Sequence, residues 1–229
     1  MINRVQLIAY ADRLGGTLGG LRDLLRGPFA GLFGGVHVLP FFHPIDGADA
    51  GFDPVDHTAV DARLGTWDDV AALARESGVM ADVIVNHISS RSPQFLDFLA
   101  KGERSAFAGM FLTFDGVFPH GAVERDLLAI YRPRSGLPFT PMTLADGSRR
   151  IFWTTFTPEQ VDIDVTHPQG AAYLENILRV FAAHGVTMVR LDAVGYGIKK
   201  AGSSCFMEID TFEFIRFFAQ RAKALGLEV

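Results

Sequence analysis

An aspartate closes an apolar run two residues after an arginine, in Val189-Arg190-Leu191-Asp192-Ala193-Val194. If the run is a strand, alternate side chains share a face, so Arg190 and Asp192 point the same way. Arg190 would hold the carboxylate of Asp192 ionised by charge attraction and bidentate hydrogen bonding. An ionised, oriented carboxylate can attack an anomeric carbon. Read alone, the tripeptide is better explained as a structural ion pair capping a strand, since Arg-x-Asp is common.

Two further segments end in polar groups. Asp82-Val83-Ile84-Val85-Asn86-His87 places His87 after a buried run, where it could donate a hydrogen bond to a sugar hydroxyl. Taken by itself, such a histidine is more often structural or a metal ligand, and no second His or Cys stands at metal-ligand spacing nearby. The turn-rich loop Asp49-Ala50-Gly51-Phe52-Asp53-Pro54-Val55-Asp56-His57 offers Phe52 as an apolar platform for a pyranose ring and Asp49 as a hydroxyl acceptor.

These groups need elements to carry them. Near-continuous apolar runs at 5–10, 36–41, 80–85 and 187–192 read as strands of a parallel sheet covered on both faces. Between them lie helix signals. Thr66-Trp67-Asp68-Asp69 resembles a capping box, with Gly78 stopping the segment, and Thr166-His167-Pro168-Gln169 follows the same logic. Leu174, Ile177, Leu178 and Phe181 then recur at helical spacing up to Gly185. A third helix is expected over about 211–225, with Ile215, Phe218, Ala222 and Leu225 on one face and Gly226 as its stop. Leu227-Glu228-Val229 reads as the opening of another strand. The stretch 87–164, rich in Phe, Pro and Gly, has no long period and reads as an inserted subdomain. Alternating strands and helices allow a doubly wound sheet or a (β/α)8 barrel. No dinucleotide glycine fingerprint follows the first strand.

Three such strand-end segments in this order resemble the α-amylase superfamily, glycoside hydrolase family 13, and the resemblance decides for the barrel. It narrows on Val5–Arg13, Leu39–Phe42, Asp46–Pro54, Tyr131–Phe139 and Arg190–Gly197, which together look like the sucrose phosphorylases. The fold implied is α/β, the N-terminal half of a (β/α)8 TIM barrel, with about four to five strands and a small B subdomain. Residues 1–86 would be the first part of the barrel, 87–165 the insert and 166–229 the barrel's continuation, stopping at the start of strand 5.

The resemblance implies a retaining glucosyl transfer from sucrose to phosphate, giving α-glucose 1-phosphate and fructose. Asp192 resembles the nucleophile, with Arg190 its neighbour. Asp49 and His87 look like ligands of the glucosyl hydroxyls, Phe52 like the stacking platform, and Phe156 and Tyr196 like acceptor-site walls. Tyr131 and Arg134 lie on a loop that, in this family, rearranges to admit phosphate. Arg132 is a second choice for the anion, because arginine offers a planar two-pronged fork. The family's acid/base glutamate ends the fifth strand, so Glu228, near that strand's start, is not given the role, and the chain is expected to be an inactive N-terminal piece. Related glucoside phosphorylases or hydrolases (sucrose 6-phosphate, glucosylglycerol or glucosylglycerate as donor) and a non-catalytic amylase-like module are the alternatives.

Composition sets the remaining expectations. The 229 residues are 48% hydrophobic and 21% charged, with a net charge of −5, which argues for a globular protein and against a nucleic-acid partner. The single cysteine, Cys205, fits a reducing compartment and reads as a small buried residue. The N-terminus does not read as a signal peptide and no apolar run is long enough to cross a bilayer, so a cytoplasmic protein with no membrane partner is expected. The expected partners are sucrose or a similar glucoside and phosphate as co-substrate, with neither cofactor nor metal. A homodimer of the full-length enzyme is left open. Phe212, Phe214, Phe217 and Phe218 are expected to include helix-packing residues rather than to form a sugar-binding box.

Overall fold

The computed structural model describes residues 3–229. In chain order the first elements are β1 (Gln6–Ala9), α1 (Leu18–Arg26), β2 (Gly35–Val38), β3 (Phe42–His43), β4 (Asp56–Val60), α2 (Trp67–Ala74) and β5 (Gly78–Ile84). Next come β6 (His87–Ser89), α3 (Pro93–Lys101), α4 (Phe114–Val117), α5 (Glu124–Ala129), β7 (Phe139–Thr143), β8 (Arg149–Trp153) and β9 (Gln160–Asp162). The last are α6 (Pro168–Ala183), β10 (Met188–Asp192) and α7 (Ile209–Ala224). The chain forms two compact units. The first holds the residues up to Val83 with Glu175–Leu191 and Ala219–Val229; the second holds Ile84–Leu174 and Asp192–Phe218.

The first unit is built on a sheet of order β1-β2-β5-β10, with β1–β2 and β2–β5 parallel. Central β2 is buried throughout. Edge strand β1 departs from the expectation of a strand covered on both faces: Val5 and Ile8 are 70% and 63% exposed. The apolar pattern of β1 is that of a buried strand, but the sheet covers it on one side only. Beyond β10, Glu228 makes a parallel bridge to Met188, as expected for the start of another strand.

Helix α2 opens as read. The Asp69 carboxylate accepts from the Thr66 N–H at 2.8 Å and its hydroxyl at 3.0 Å. It ends earlier than read, because the amides of Glu76 and Ser77 both close onto the Leu73 carbonyl, and Gly78 instead begins β5. Gly185 and Gly226, at φ +83° and +82°, turn the chain after α6 and α7 in a conformation that suits glycine. In this unit Phe42, His57, Trp67, Phe181 and His184 form one aromatic cluster, with Phe42 stacked on Phe181 at 5.5 Å and Trp67 on His184 at 4.7 Å. A buried ring of this size contributes about 1.5–3 kcal/mol.

The second unit is held by short antiparallel pairs, β6 with β9 and β7 with β8. One core gathers Phe95, Phe98, Phe111 and Phe152; another gathers Phe118, Ile130, Trp153 and Cys205. The start of α6 differs from the reading. Thr166 does not itself cap the helix; the Asp164 carboxylate accepts from the Thr166 N–H and hydroxyl and from the His167 N–H, at 2.9, 2.6 and 3.1 Å. In α7, Phe218 is buried and stacks on Phe214 at 5.5 Å, as expected of packing residues, whereas Phe212 and Phe217 are more than half exposed. Their positions fall on the outer side of the helical stripe that Phe218 and Ala222 occupy.

Candidate active site

In the first unit the polar centre is Asp82, wholly buried in the middle of an apolar strand. Its Oδ1 accepts from Arg190 Nη1 at 2.5 Å and its Oδ2 faces His37 Nε2 at 2.9 Å, while its backbone carbonyl lies 3.2 Å from His57 Nε2. Arg190 thus has a partner that the sequence reading had not named. Buried charge needs such pairing, and Asp82 receives it on both oxygens. A lone acid inside the run 78–85 was the signal available for it.

The guanidinium of Arg190 also lies 5.8 Å from the centre of the Phe52 ring. Phe52 and Asp49 sit on the loop between β3 and β4, which two buried carboxylates tie down. Asp53 accepts the amides of Ala48 at 2.9 Å and Asp49 at 3.3 Å, and Asp61 accepts that of Ile45 at 3.0 Å. Asp61 is in turn gripped by Arg63, at 2.7 and 2.9 Å, and Arg63 reaches on to Asp46. Arg63 holds the Asp61 carboxyl far below the usual range, chiefly by its side-chain hydrogen bond. Burial pushes the Tyr10 phenol up, and the fields of Asp82 and Asp49 add to the effect.

In the second unit Asp192 ends β10 half-buried, its carbonyl accepting the Val85 N–H at 3.3 Å. Ala193 follows at φ +53°, a left-handed turn that leads into the short 3-10 segment Val194–Tyr196. Glu228 is registered against Met188, the first residue of β10, whereas Asp192 is its last.

His87 opens β6 and is buried. Its ring lies 5.1 Å from Phe156, and Phe156 meets Tyr196 edge-on at 5.1 Å. Tyr131 stacks beside Tyr196 at 6.2 Å, and Phe206 fills the angle between them at 4.5 and 4.7 Å. The Tyr131 N–H donates to the Ser204 carbonyl at 2.8 Å. Gly195 makes the approach of Phe206 feasible, since a Cβ there would stand 2.8 Å from its ring. Burial, and then Tyr131, raise the Tyr196 phenol above the ordinary tyrosine value. Arg134 is exposed and, with Arg132, Phe156, Thr140, Thr154 and Thr155, lines a hollow of about 140 Å³. Phe206 had no signal in sequence, because its partner Tyr131 is distant in the chain.

So the first unit brings Phe52 to Arg190 and fixes the loop of Asp49. The second joins His87, Phe156, Tyr196 and Tyr131 into one aromatic wall, with Arg134 beside the adjoining hollow. Cys205 is buried as expected, and burial raises its thiol. Among the described residues no helix is long and apolar enough to cross a membrane.

Known proteins resemble this chain along its whole length. It is 60% identical to a sucrose phosphorylase of Agrobacterium vitis and 56% identical to one of Bifidobacterium adolescentis, each match covering 100% of the chain. The matches cover 47% and 45% of those proteins, so the chain spans about half the length of the curated relatives it matches. The crystal structure of sucrose 6F-phosphate phosphorylase from Thermoanaerobacter thermosaccharolyticum superposes with a TM-score of 0.94 at 39% identity, over 100% of this chain and 47% of that one. Half of a barrel of this type is therefore the fold. Residues 31–213 match the catalytic domain of alpha amylase, and the chain belongs to that family.

Proposed function

We propose that this chain supplies the glucosyl-handling part of a retaining glucoside phosphorylase that uses sucrose and inorganic phosphate. The observation that carries the reading is Asp192, a carboxylate ending a sheet strand next to a sharp left-handed turn, within a chain 60% identical to a sucrose phosphorylase. Catalytic groups of α/β barrels stand at such strand ends. On this reading residues 1–86 and 166–229 belong to the barrel and 87–165 to its insert.

In the first step an oxygen of Asp192 bonds to C1 of the glucosyl unit as the bond from C1 to the fructosyl oxygen breaks. The leaving oxygen takes a proton from a second carboxyl group, which retaining enzymes hold about 5–5.5 Å from the nucleophile. In the second step a phosphate oxygen bonds to C1 as the ester to Asp192 breaks, the phosphate returns a proton to the second carboxylate, and α-glucose 1-phosphate leaves. Phe52 would stack under the sugar, Asp49 and His87 would bind its hydroxyls, and Phe156 and Tyr196 would wall the acceptor site. Arg134, with Arg132 nearby, would supply the cation that lets an anion enter beside carboxylates. No step needs a metal or a cofactor.

The test is glucose 1-phosphate formation from sucrose and phosphate by the protein as encoded, compared with Asp192→Asn. A fluorinated glucosyl donor should leave a glucosyl adduct on the Asp192 peptide, visible by mass spectrometry. Retained phosphorolysis in Asp192→Asn overturns the assignment. The match to a sucrose 6F-phosphate phosphorylase favours one second reading, a phosphorylated donor, which a panel of glucosides in the same assay separates. A cytoplasmic setting and a homodimer of the whole enzyme belong to the proposal and are checked by fractionation and light scattering.

A further inference from the structure

Strand register sets His37 against the buried acid of the sheet. His37 of β2 stands opposite Met80 of β5, so Asp82, two residues on, lies on the same face. The side chain of His37 is 7% exposed and that of Asp82 0%, so water does not compete for the carboxylate. Its two oxygens are divided between two donors. Arg190 Nη1 takes Oδ1 at 2.5 Å, and His37 Nε2 stands 2.9 Å from Oδ2.

A carboxylate paired with a guanidinium has only acceptors to offer. Nε2 of His37 therefore carries a proton, and this holds for the neutral ring and the imidazolium alike. A guanidinium that faces a carboxylate commonly closes on both oxygens with two parallel N–H groups. Here the second oxygen is already engaged, and Arg190 meets Asp82 through Nη1 on Oδ1. Its guanidinium carbon lies 5.8 Å from the centre of the Phe52 ring, within the range of a cation–π contact.

We infer that His37 is a positioning residue for Arg190: by donating from Nε2 to Oδ2 of Asp82, it denies Arg190 the second oxygen and holds the pair single-bonded. The guanidinium is thereby kept at Phe52 rather than closed onto Asp82. On the function proposed above, Phe52 lies under the sugar and Arg190 stands beside the nucleophile, so His37 sets how this cation is presented to the reaction. That consequence rests on the proposed reading, whereas the hold on Arg190 does not.

The test is the crystal structure of the full chain carrying His37→Leu or His37→Gln, together with side-chain 15N NMR of the histidine-labelled protein. Leucine cannot donate, so Arg190 is expected to turn and bond both oxygens of Asp82. Glutamine brings an N–H to the same oxygen, so the single bond from Nη1 to Oδ1 is expected to persist. A single bond in folded His37→Leu overturns the inference, and so does a two-oxygen bond in His37→Gln. If the core does not tolerate leucine, the glutamine variant and the NMR decide. His37, assigned by the loss of its signals in His37→Gln, is expected to show a protonated Nε2; an unprotonated Nε2 overturns the inference.

Turnover separates this role from the proposed function. With sucrose and phosphate, His37→Leu is expected to form glucose 1-phosphate up to about 100-fold more slowly, and His37→Gln to recover most of the loss. Arg190 bonded to both oxygens with turnover unchanged would uphold the role of His37 and count against Arg190 as a working part of that reaction. The structural and NMR readouts need no turnover, so a protein inactive on sucrose still decides the inference.

Discussion

The guanidinium of Arg190 donates to the carboxylate of Asp82 at 2.5 Å, joining two strands of the sheet through an acid with no exposure to solvent. Arg190 is itself 47% exposed, so its side is partly screened. Hydrogen bonds to charged groups contribute about 1.5–3 kcal/mol. Arg190→Ala is expected to cost about 2 kcal/mol, with His37 remaining as the second partner of Asp82. In a double-mutant cycle with Asp82→Asn, followed by urea unfolding, a coupling near zero would contradict a stabilising pair.

Lys199→Met should be more damaging, because the buried ammonium of Lys199 pairs with Asp162 at 2.8 Å and its loss leaves that charge buried. Breaking such a pair from one side costs about 3–5 kcal/mol. Adding Asp162→Asn should recover much of that loss. The urea midpoints of the two variants check the order, and a double variant less stable than the single would reverse it.

Acid should unfold the protein partly through Asp61, which Arg63 holds below the usual carboxylate range. The folded value lies below the unfolded one, about 3.9. The associated stability is therefore complete above the unfolded value and is lost as pH falls toward the folded one. Arg63→Gln raises the folded value, so less of this stability is present at neutral pH and the acid transition moves to higher pH. Circular dichroism followed from pH 6 downward tests this; superimposable acid limbs would contradict it.

At the alkaline end, Tyr196 and Tyr10 should ionise later than an ordinary tyrosine, each chiefly because burial disfavours the phenolate. Tyr131 adds to the effect at Tyr196. Phenolate absorbance should therefore show a late-titrating fraction, and Tyr131→Phe should bring part of it back toward pH 10. An unshifted Tyr196 titration in that variant would remove Tyr131 from the account.

Cys205 is expected to resist a thiol reagent in the native protein and to react with one equivalent in urea. It is 2% exposed, and burial pushes its thiol up, so the reactive thiolate is scarce. Fast stoichiometric labelling of the folded chain would contradict both.

The strands, their order of appearance and the helices between them were legible because each is a local pattern. Apolar runs bounded by turn residues, a Thr-Asp capping box and glycines after α6 and α7 all act within a few positions. The strand-end placement of Asp192 followed from the same pattern. Exposure of β1 was not legible, since an apolar run does not state how many neighbours cover it. Neither were the early end of α2 nor the turn on Asp164 that leads into α6. Each depends on which of several nearby groups wins a shared hydrogen bond or face.

What the sequence determined by itself was which residues could do chemistry: Asp192, Arg190, His87, Asp49 and Phe52 from type and position, and Tyr131, Arg134, Phe156 and Tyr196 through the family resemblance alone. Only the tertiary structure decided what holds them. Asp82 lies 108 residues from Arg190 and 45 from His37, and Lys199 lies 113 from Asn86. Such pairings follow no local period. They form because a buried charge or donor must find a partner once the chain has folded around it.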